Sequence, residues 1–255
     1  MSNRPQINRN ENVAGARIGI AFCILGRAEA VLLARGAGFD LAIVDMEHGP
    51  LGLDALGQVA AAGIAAGLPV WGRVGGPGSA DLARVLDCGA TGLIVPHVGS
   101  VADARRIVHS CHFAPVGARS LPGPLPALNY AILPAPEFCV RAGERVTIAA
   151  MIESAAGLAA AHEIAAIEGI DMLMVGANDL ADSLGLRGRV DHPEVQAAFR
   201  RIAAATTLRG KGFGVMGLPP HLIDSHAPDA TLIVATNDTN LLIEGGAAIL
   251  ARLRR

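Results

Sequence analysis

The chain has 255 residues, 51% of them apolar and only 3% aromatic, with a formal net charge of −2. That length is close to the roughly 250 residues of a closed (β/α)8 barrel and leaves ample apolar surface for a large core. So few aromatics, and no basic tract beyond Arg252, Arg254 and Arg255, leave nucleic-acid binding without stacking platforms or an electrostatic footprint. The N-terminal segment Met1–Glu11 is polar and has no apolar signal-peptide core, and no apolar run reaches the length of a membrane span. Cys23, Cys88, Cys111 and Cys139 form no CxxC pair, so reduced thiols in a cytoplasmic protein are expected.

In chain order, short apolar runs predict eight strands: Arg17–Ile24, Phe39–Asp45, Pro69–Val74, Gly92–Pro96, Val146–Glu153, Asp171–Val175, Gly212–Met216 and Ala230–Ala235. Continuous apolar runs such as Leu93-Ile94-Val95 suit a parallel sheet covered by helices. Between them the spacing turns helical. Leu53, Leu56, Val59, Ala60 and Ile64 mark one helix, and Val195, Ala198, Phe199, Ile202 and Ala205 another. Ser100 with Asp103 forms a capping-box pattern, and Pro193 sits where a first helical turn tolerates proline. From Phe113 to Gly143 six prolines interrupt any periodicity, and this connection is long enough to return to a barrel mouth and cover a site. Residues 1–255 read as one (β/α)8 TIM-barrel domain. Closure into a barrel is favoured over an open sheet because polar residues follow several different strands.

Those polar residues carry the chemistry. Asp45-Met46-Glu47-His48-Gly49 follows the second predicted strand, Arg73 ends the third, Glu153 ends the fifth, and Asp179 follows the sixth within Gly176-Ala177-Asn178-Asp179. In a barrel all of them share one rim. Glu153 and Asp179 have the hard oxygen chemistry that binds Mg²⁺ or Mn²⁺ and leaves positions open. The same two residues also fit as simple caps of the helices that follow. His48 has the right side chain for a general base, with Asp45 and Glu47 beside it to tune it. Arg73 keeps its charge throughout a reaction and suits a developing oxyanion, though a structural ion pair with Asp45 or Glu47 explains it as well.

Two other patterns carry less. His109-Ser110-Cys111-His112 has metal-binding residue types but no second cluster, and a surface position is expected. Gly72-Arg73-Val74-Gly75-Gly76-Pro77-Gly78 lacks the Rossmann and phosphate-loop spacings and reads as a tight strand-to-helix turn.

From about Ile18 onwards the chain resembles the HpcH/HpaI aldolases, the metal-dependent class II pyruvate aldolases. The resemblance rests on Phe39-Asp40 through Gly49, Leu86-Asp87-Cys88-Gly89-Ala90, Ile94-Val95-Pro96-His97-Val98, Ile152-Glu153 and Val175-Gly176-Ala177-Asn178-Asp179-Leu180, taken as an ordered set. It implies that Glu153 and Asp179 hold a divalent ion such as Mg²⁺, Mn²⁺ or Co²⁺, which a 2-oxo acid, pyruvate or hydroxypyruvate, chelates. It implies that backbone amides of Ala177, Asn178 and Asp179 contact the substrate carboxylate, that Arg73 steadies the enolate oxygen, and that His48 is the base, acting through a metal-bound water. Asp87 corresponds to the acid that tunes the histidine. Because it ends a helix away from its own barrel mouth, it is expected to serve a neighbouring subunit.

The sequence departs from the family at two points. Some members have a glutamine at the position of Met151, and members that act on acidic aldehydes have an arginine missing from Leu121-Pro122-Gly123-Pro124-Leu125-Pro126. Three rival readings keep the barrel. One is a phosphoenolpyruvate-using transferase or phosphomutase, which Lys211, the chain's only lysine, is badly placed to serve. The second is an acyl-CoA ester lyase of the citramalyl-CoA type. The third is an inactive barrel acting as an assembly module. Finally, Asn237–Leu253 reads as a helix apolar on most sides. The resemblance implies that this C-terminal helix is exchanged between subunits of a homohexamer, a trimer of dimers.

Overall fold

A computed structural model describes residues 15–254. The polar segment Met1–Glu11 and Arg255 lie outside the described residues. The chain runs β1 (Arg17–Phe22), α1 (Ala28–Ala37), β2 (Leu41–Asp45), α2 (Leu53–Ala66), β3 (Val70–Arg73), α3 (Leu82–Asp87), β4 (Gly92–Val95) and α4 (Val101–Cys111). It continues through α5 (Ala135–Gly143), β5 (Thr147–Ile152), α6 (Ala155–Ala159), α7 (Ala161–Ala165), β6 (Met172–Gly176) and α8 (Ala177–Ser183). The last elements are α9 (Pro193–Thr207), β7 (Gly212–Met216), α10 (Ile223–His226), β8 (Leu232–Asn237) and α11 (Asp238–Leu253). The eight strands pair in parallel in sequence order, and β8 closes on β1, so the sheet is a (β/α)8 barrel.

The strands are apolar throughout because both faces are covered. In β2, Leu41 and Ile43 point inward and stack with Trp71, Ile94, Met151 and Met174, while Ala42 and Val44 point outward beneath the helices. Polar residues enter where the strands end, and that is the barrel's C-terminal rim.

Local signals act as the sequence predicts. Ser100 caps α4 by accepting from Asp103 N at 3.2 Å. Pro193 opens α9. Ser154 caps α6, accepting from Gly157 N at 3.1 Å. The preceding Glu153 is thereby left free of that duty.

The proline-rich connection departs from expectation. It contains a 3-10 turn at Pro126–Leu128 and then α5. Phe113, Leu125, Leu128, Phe138 and Ala142 gather in a small core of their own. Arg119 reaches the end of α3, where its Nη2 donates to Asp87 Oδ1 at 2.6 Å. The segment therefore folds at the end of the barrel remote from the rim. It begins where α4 ends and must deliver the chain to the start of β5, and its apolar residues satisfy one another on the way.

The helix α11 is anchored only at its root. Buried Asp238 accepts from the backbone N–H groups of Cys23, Ile24 and Leu25 at 3.0, 2.9 and 2.7 Å. Asn237 caps the first turn through Asn240 N. Beyond that, the apolar residues Leu241, Leu242, Ile243, Ile249, Leu250 and Leu253 are all exposed. Among the described residues, no helix is long and apolar enough to cross a membrane.

Candidate active site

At the rim, β2, β3, β5, β6 and β8 enclose a cavity of about 570 Å³ lined by His48, Arg73, Met151, Glu153, Gly176, Ala177, Asn178, Asp179 and Asn240, among others. Met151, fully buried, contributes an apolar patch where an amide would otherwise donate.

The geometry grows from the end of β2. Asp45 Oδ1 accepts from the backbone N–H of Glu47 and of His48 at 3.0 and 3.2 Å, which folds the chain back sharply after the strand. Gly49 completes this turn at φ +128°, where a Cβ would stand 2.3 Å from Cys23 O. The same Asp45 carboxylate receives Arg73 Nε at 3.0 Å on Oδ1 and Arg73 Nη2 on Oδ2. Arg73 Nη1 lies 3.0 Å from Glu47 Oε2. Burial pushes the Asp45 pKa up, but hydrogen bonds and charge from Arg73 outweigh it and hold the carboxyl below its ordinary range. Burial likewise pulls the Arg73 pKa down, and the surrounding carboxylates more than restore it. Cys23, 3.5 Å from Asp45 Oδ2, is pushed up to about 12 by burial and neighbouring acids and is a poor nucleophile at neutral pH.

Glu153 presents a different environment. Burial, reinforced by the charges of Glu47 and Asp179, raises its pKa, although His97 opposes this. Its Oε1 faces Gly176 so closely that a Cβ there would lie 2.3 Å away. Asp179, in the first turn of α8, makes no side-chain hydrogen bond among the described residues, so it is not the helix cap that its position allowed.

Of the sequence candidates, His48, Arg73, Glu153, Ala177, Asn178 and Asp179 meet at one cavity. Three placements differ from expectation. Asp45 is engaged by Arg73 and by the backbone of the turn, not by the imidazole of His48. The His48 side chain is 67% exposed, and its charged neighbour among the described residues is Glu47 Oε2 at 3.9 Å. Asp87, in keeping with its expected place away from its own barrel mouth, stands outside the cavity at the end of α3, paired with Arg119. His112, expected at the surface, is half-buried and bonds Gly169 O through Nε2 at 2.8 Å.

Two residues escaped the sequence reading as site components. Asp238 ties the start of α11 to the loop after β1. His97, two residues beyond β4, lies between Glu47 and Glu153. The signal for His97 was present in the sequence, since it is a polar residue directly after an apolar strand.

The donor set suits a hard divalent ion. Glu153 and Asp179 both line the cavity, Glu153 Oε1 lies against Gly176 there, and Glu47 Oε2 is buried with an ion pair to Arg73 Nη1 at 3.0 Å but no hydrogen bond. Among the described residues, no three His, Cys, Asp or Glu side chains form a complete cage. Two carboxylates with the remaining positions left to water or substrate is the arrangement Mg²⁺ prefers.

A parallel barrel with an arginine and carboxylates converging on its C-terminal rim has the architecture of a barrel enzyme with its site at that rim. The sequence model described as HpcH/HpaI aldolase/citrate lyase matches residues 20–239, and the chain belongs to that family; it is an aldolase, a carbon–carbon lyase. It is 38% identical over 223 residues to a 4-hydroxy-4-methyl-2-oxoglutarate aldolase of Hapsidospora irregularis, covering 84% of this chain and 82% of the relative. It is 34% identical over 224 residues to a hydroxypyruvate/pyruvate aldolase of Pseudomonas aeruginosa, covering 87% and 83%. The crystal structure of an HpcH/HpaI aldolase/citrate lyase family protein from Burkholderia cenocepacia superposes with a TM-score of 0.84 at 29% identity, covering 94% and 95%.

Proposed function

We propose that this chain is a divalent-metal-dependent aldolase that joins and separates the enolate of pyruvate or hydroxypyruvate and an aldehyde. The observation that carries the reading is the convergence of Arg73, Glu153 and Asp179 on one cavity. The relatives named as hydroxypyruvate/pyruvate aldolases support the choice of 2-oxo acid.

Glu153 and Asp179 hold the ion, which when bound polarises the keto oxygen and lowers the energy of the enolate. The first-turn N–H groups of Ala177, Asn178 and Asp179 have no partners within the helix and receive the substrate carboxylate. Arg73 donates Nε and one Nη2 proton to Asp45 and ion-pairs with Glu47 through Nη1, which fixes the plane of its guanidinium. Its remaining Nη protons serve the enolate oxygen. Fixed donors aimed at developing charge need no reorganisation during the reaction. His48 Nε2 takes the hydroxyl proton of the departing aldehyde, and its exposure leaves room for the ring to reach an acceptor that varies in size.

Catalysis is completed by a second copy. Asp87 lies outside its own cavity, and the exposed apolar face of α11 matches an apolar groove lined by Ile24, Leu25, Leu33 and Leu51 beside α1. A homo-oligomer that exchanges α11, a trimer of dimers, brings Asp87 to a neighbour's rim. The four cysteines are unpaired, in keeping with the cytoplasm.

The test is proton exchange into pyruvate and hydroxypyruvate in deuterated buffer with Mg²⁺, Mn²⁺ or Co²⁺, followed by an aldehyde panel. Exchange that stops with a chelator is expected. No exchange into either acid under any metal would sink the reading.

A further inference from the structure

We infer that His97 is a positioning residue of this site, locking Glu153 to one carboxylate oxygen for the ion while holding Glu47 on Arg73. The inference rests on the metal-aldolase reading above.

His97 adopts φ +58°, a left-handed backbone that side chains with a Cβ rarely take. Such a conformation persists only where the surroundings impose it, and here they do. In it the His97 backbone N–H donates to Glu153 Oε2 at 2.9 Å. The ring sits over the same oxygen, with Nδ1 at 3.3 Å. At its other side, Nε2 lies 2.7 Å from Glu47 Oε1. Glu47 Oε2 in turn faces Arg73 Nη1 at 3.0 Å. The residues therefore form an unbroken sequence of contacts, Arg73 to Glu47 to His97 to Glu153, running around the rim from β3 to the end of β5.

This geometry divides the labour of neighbouring carboxylates. Glu47 and Glu153 are close enough to repel, and either has the right chemistry for a divalent ion. His97 engages one oxygen of each. What remains without a hydrogen bond on Glu153 is Oε1, which lies against Gly176 at the cavity lining. What remains free on Glu47 is turned to Arg73. Neither assignment depends on a charged imidazole: a neutral ring with its proton on Nε2 donates to Glu47, and the backbone N–H already serves Glu153. Removing the His97 ring would leave Glu153 held by the backbone N–H alone and free Glu47 to swing toward the ion, loosening metal site and arginine together. A ring that merely fills a turn would do neither.

The experiment titrates full-length protein with Mn²⁺, reading free ion by electron paramagnetic resonance, and follows thermal unfolding in parallel. His97→Gly removes the ring, keeps the backbone N–H and relieves the left-handed strain. Mn²⁺ affinity should fall about 10–100-fold, the usual cost of losing a group that orients a ligand, without a lower unfolding midpoint. Adding Glu47→Gln to His97→Gly should cost less than the sum of the two single changes, because both act through one contact. Activity at saturating Mn²⁺ should recover more than the affinity does. Should the glycine variant fail to fold, His97→Asn carries the test, since asparagine tolerates this backbone but cannot span both carboxylates. A folded variant of either kind that binds Mn²⁺ like the wild type overturns the inference while leaving the aldolase reading intact. A wild type that binds no Mn²⁺ overturns the metal reading itself, and this inference with it.

Discussion

Arg73 and Asp45 form a two-pronged ion pair at the rim, with Arg73 Nε donating to Oδ1 at 3.0 Å and Nη2 to Oδ2. The Asp45 side chain has no exposed surface and that of Arg73 is 8% exposed. Because Asp45 also accepts the N–H groups of Glu47 and His48, one carboxylate fixes both the arginine and the turn that carries His48. The stability and the chemistry of the rim therefore share a residue.

Replacing Asp45 should expose that sharing. Asp45→Asn leaves buried Arg73 with Glu47 alone as its close counter-charge, and the loss of one partner of a buried pair costs up to about 3–5 kcal/mol. The sign of the pH effect follows from the direction of the shift. Asp45 is held below its ordinary range, so its contribution is fully present above the unfolded carboxyl pKa of about 3.9 and is lost as pH falls through the lower folded value. Urea unfolding should show a large gap between wild type and variant at neutral pH that narrows in acid. A gap that widens in acid would contradict the assignment.

Arg73→Lys keeps the charge and loses the planar fork. A lysine reaches one of the two carboxylates but cannot hold Asp45 at two points and still aim a donor into the cavity. The turnover number should fall about 100-fold or more, as when a single oxyanion donor is removed. Unfolding free energy should change far less than for Asp45→Asn. Near-normal turnover in the lysine variant would remove Arg73 from its role.

What the sequence revealed and what it hid follow from the range of the signals. The eight strands were legible because each is a continuous apolar run, and the rim residues because each breaks such a run at its end. Ser100, Pro193 and the C-terminal helix were legible because caps and periodicity are local. The fate of the Phe113–Gly143 connection was not, since its apolar residues find one another across many positions and no period announces that. His97 broke an apolar run as the other rim residues do, but its contacts were hidden for a related reason. Its partners Glu47 and Glu153 are 50 and 56 residues away, and its left-handed backbone leaves no mark on a histidine. The engagement of Asp45 by Arg73, 28 residues on, was one of two readings open to the sequence, and only the geometry shows the arginine both paired and facing the cavity.

Metal dependence can be probed without touching a ligand. Gly176→Ala places a Cβ 2.3 Å from Glu153 Oε1, so the carboxylate must move off the position from which it faces the cavity. Calorimetry should show Mg²⁺ or Mn²⁺ affinity falling in this variant, and falling further in Glu153→Ala and Asp179→Ala, with circular dichroism unchanged. Activity should vanish with a chelator and return with added ion. Full activity in the presence of chelator would refute the metal requirement.

The cavity also predicts its acceptor. Among the described residues Arg73 is the only arginine or lysine on its lining, two of its donors are spent on Asp45 and a third faces Glu47, and Glu244 adds an acid. Met216, Leu218, Pro219, Thr236 and Asn240 make up much of the remainder. Small neutral or hydroxylated aldehydes should therefore give higher kcat/KM than acidic or phosphorylated ones. The Hapsidospora relative is named for a substrate with a second carboxylate, so the comparison is a stringent one. A strong preference for succinic semialdehyde would contradict it.

The helix α11 sets the last test. Its residues Leu242, Ile243 and Leu253 are 59%, 70% and 78% exposed, and among the described residues no position beyond Asp238 is buried. Fully burying one leucine or isoleucine side chain stabilises by about 1.5–3 kcal/mol, so leaving six large apolar residues in water is a substantial cost. A lone helix of this length is also marginal in water. Its root is nevertheless firm, because Asp238 holds three backbone N–H groups after β1 and Asn237 caps the first turn. A helix fixed at its start and uncovered along its length is shaped to lie on something else, and the apolar groove beside α1 offers a matching surface on a second copy. Removing the residues after Asp238 should yield smaller species that expose the groove, bind a hydrophobic dye and show little activity, because Asp87 no longer reaches a neighbour's rim. Light scattering decides the matter: full-length protein that stays monomeric at micromolar concentration, yet fully active, would refute both the exchanged helix and the shared site.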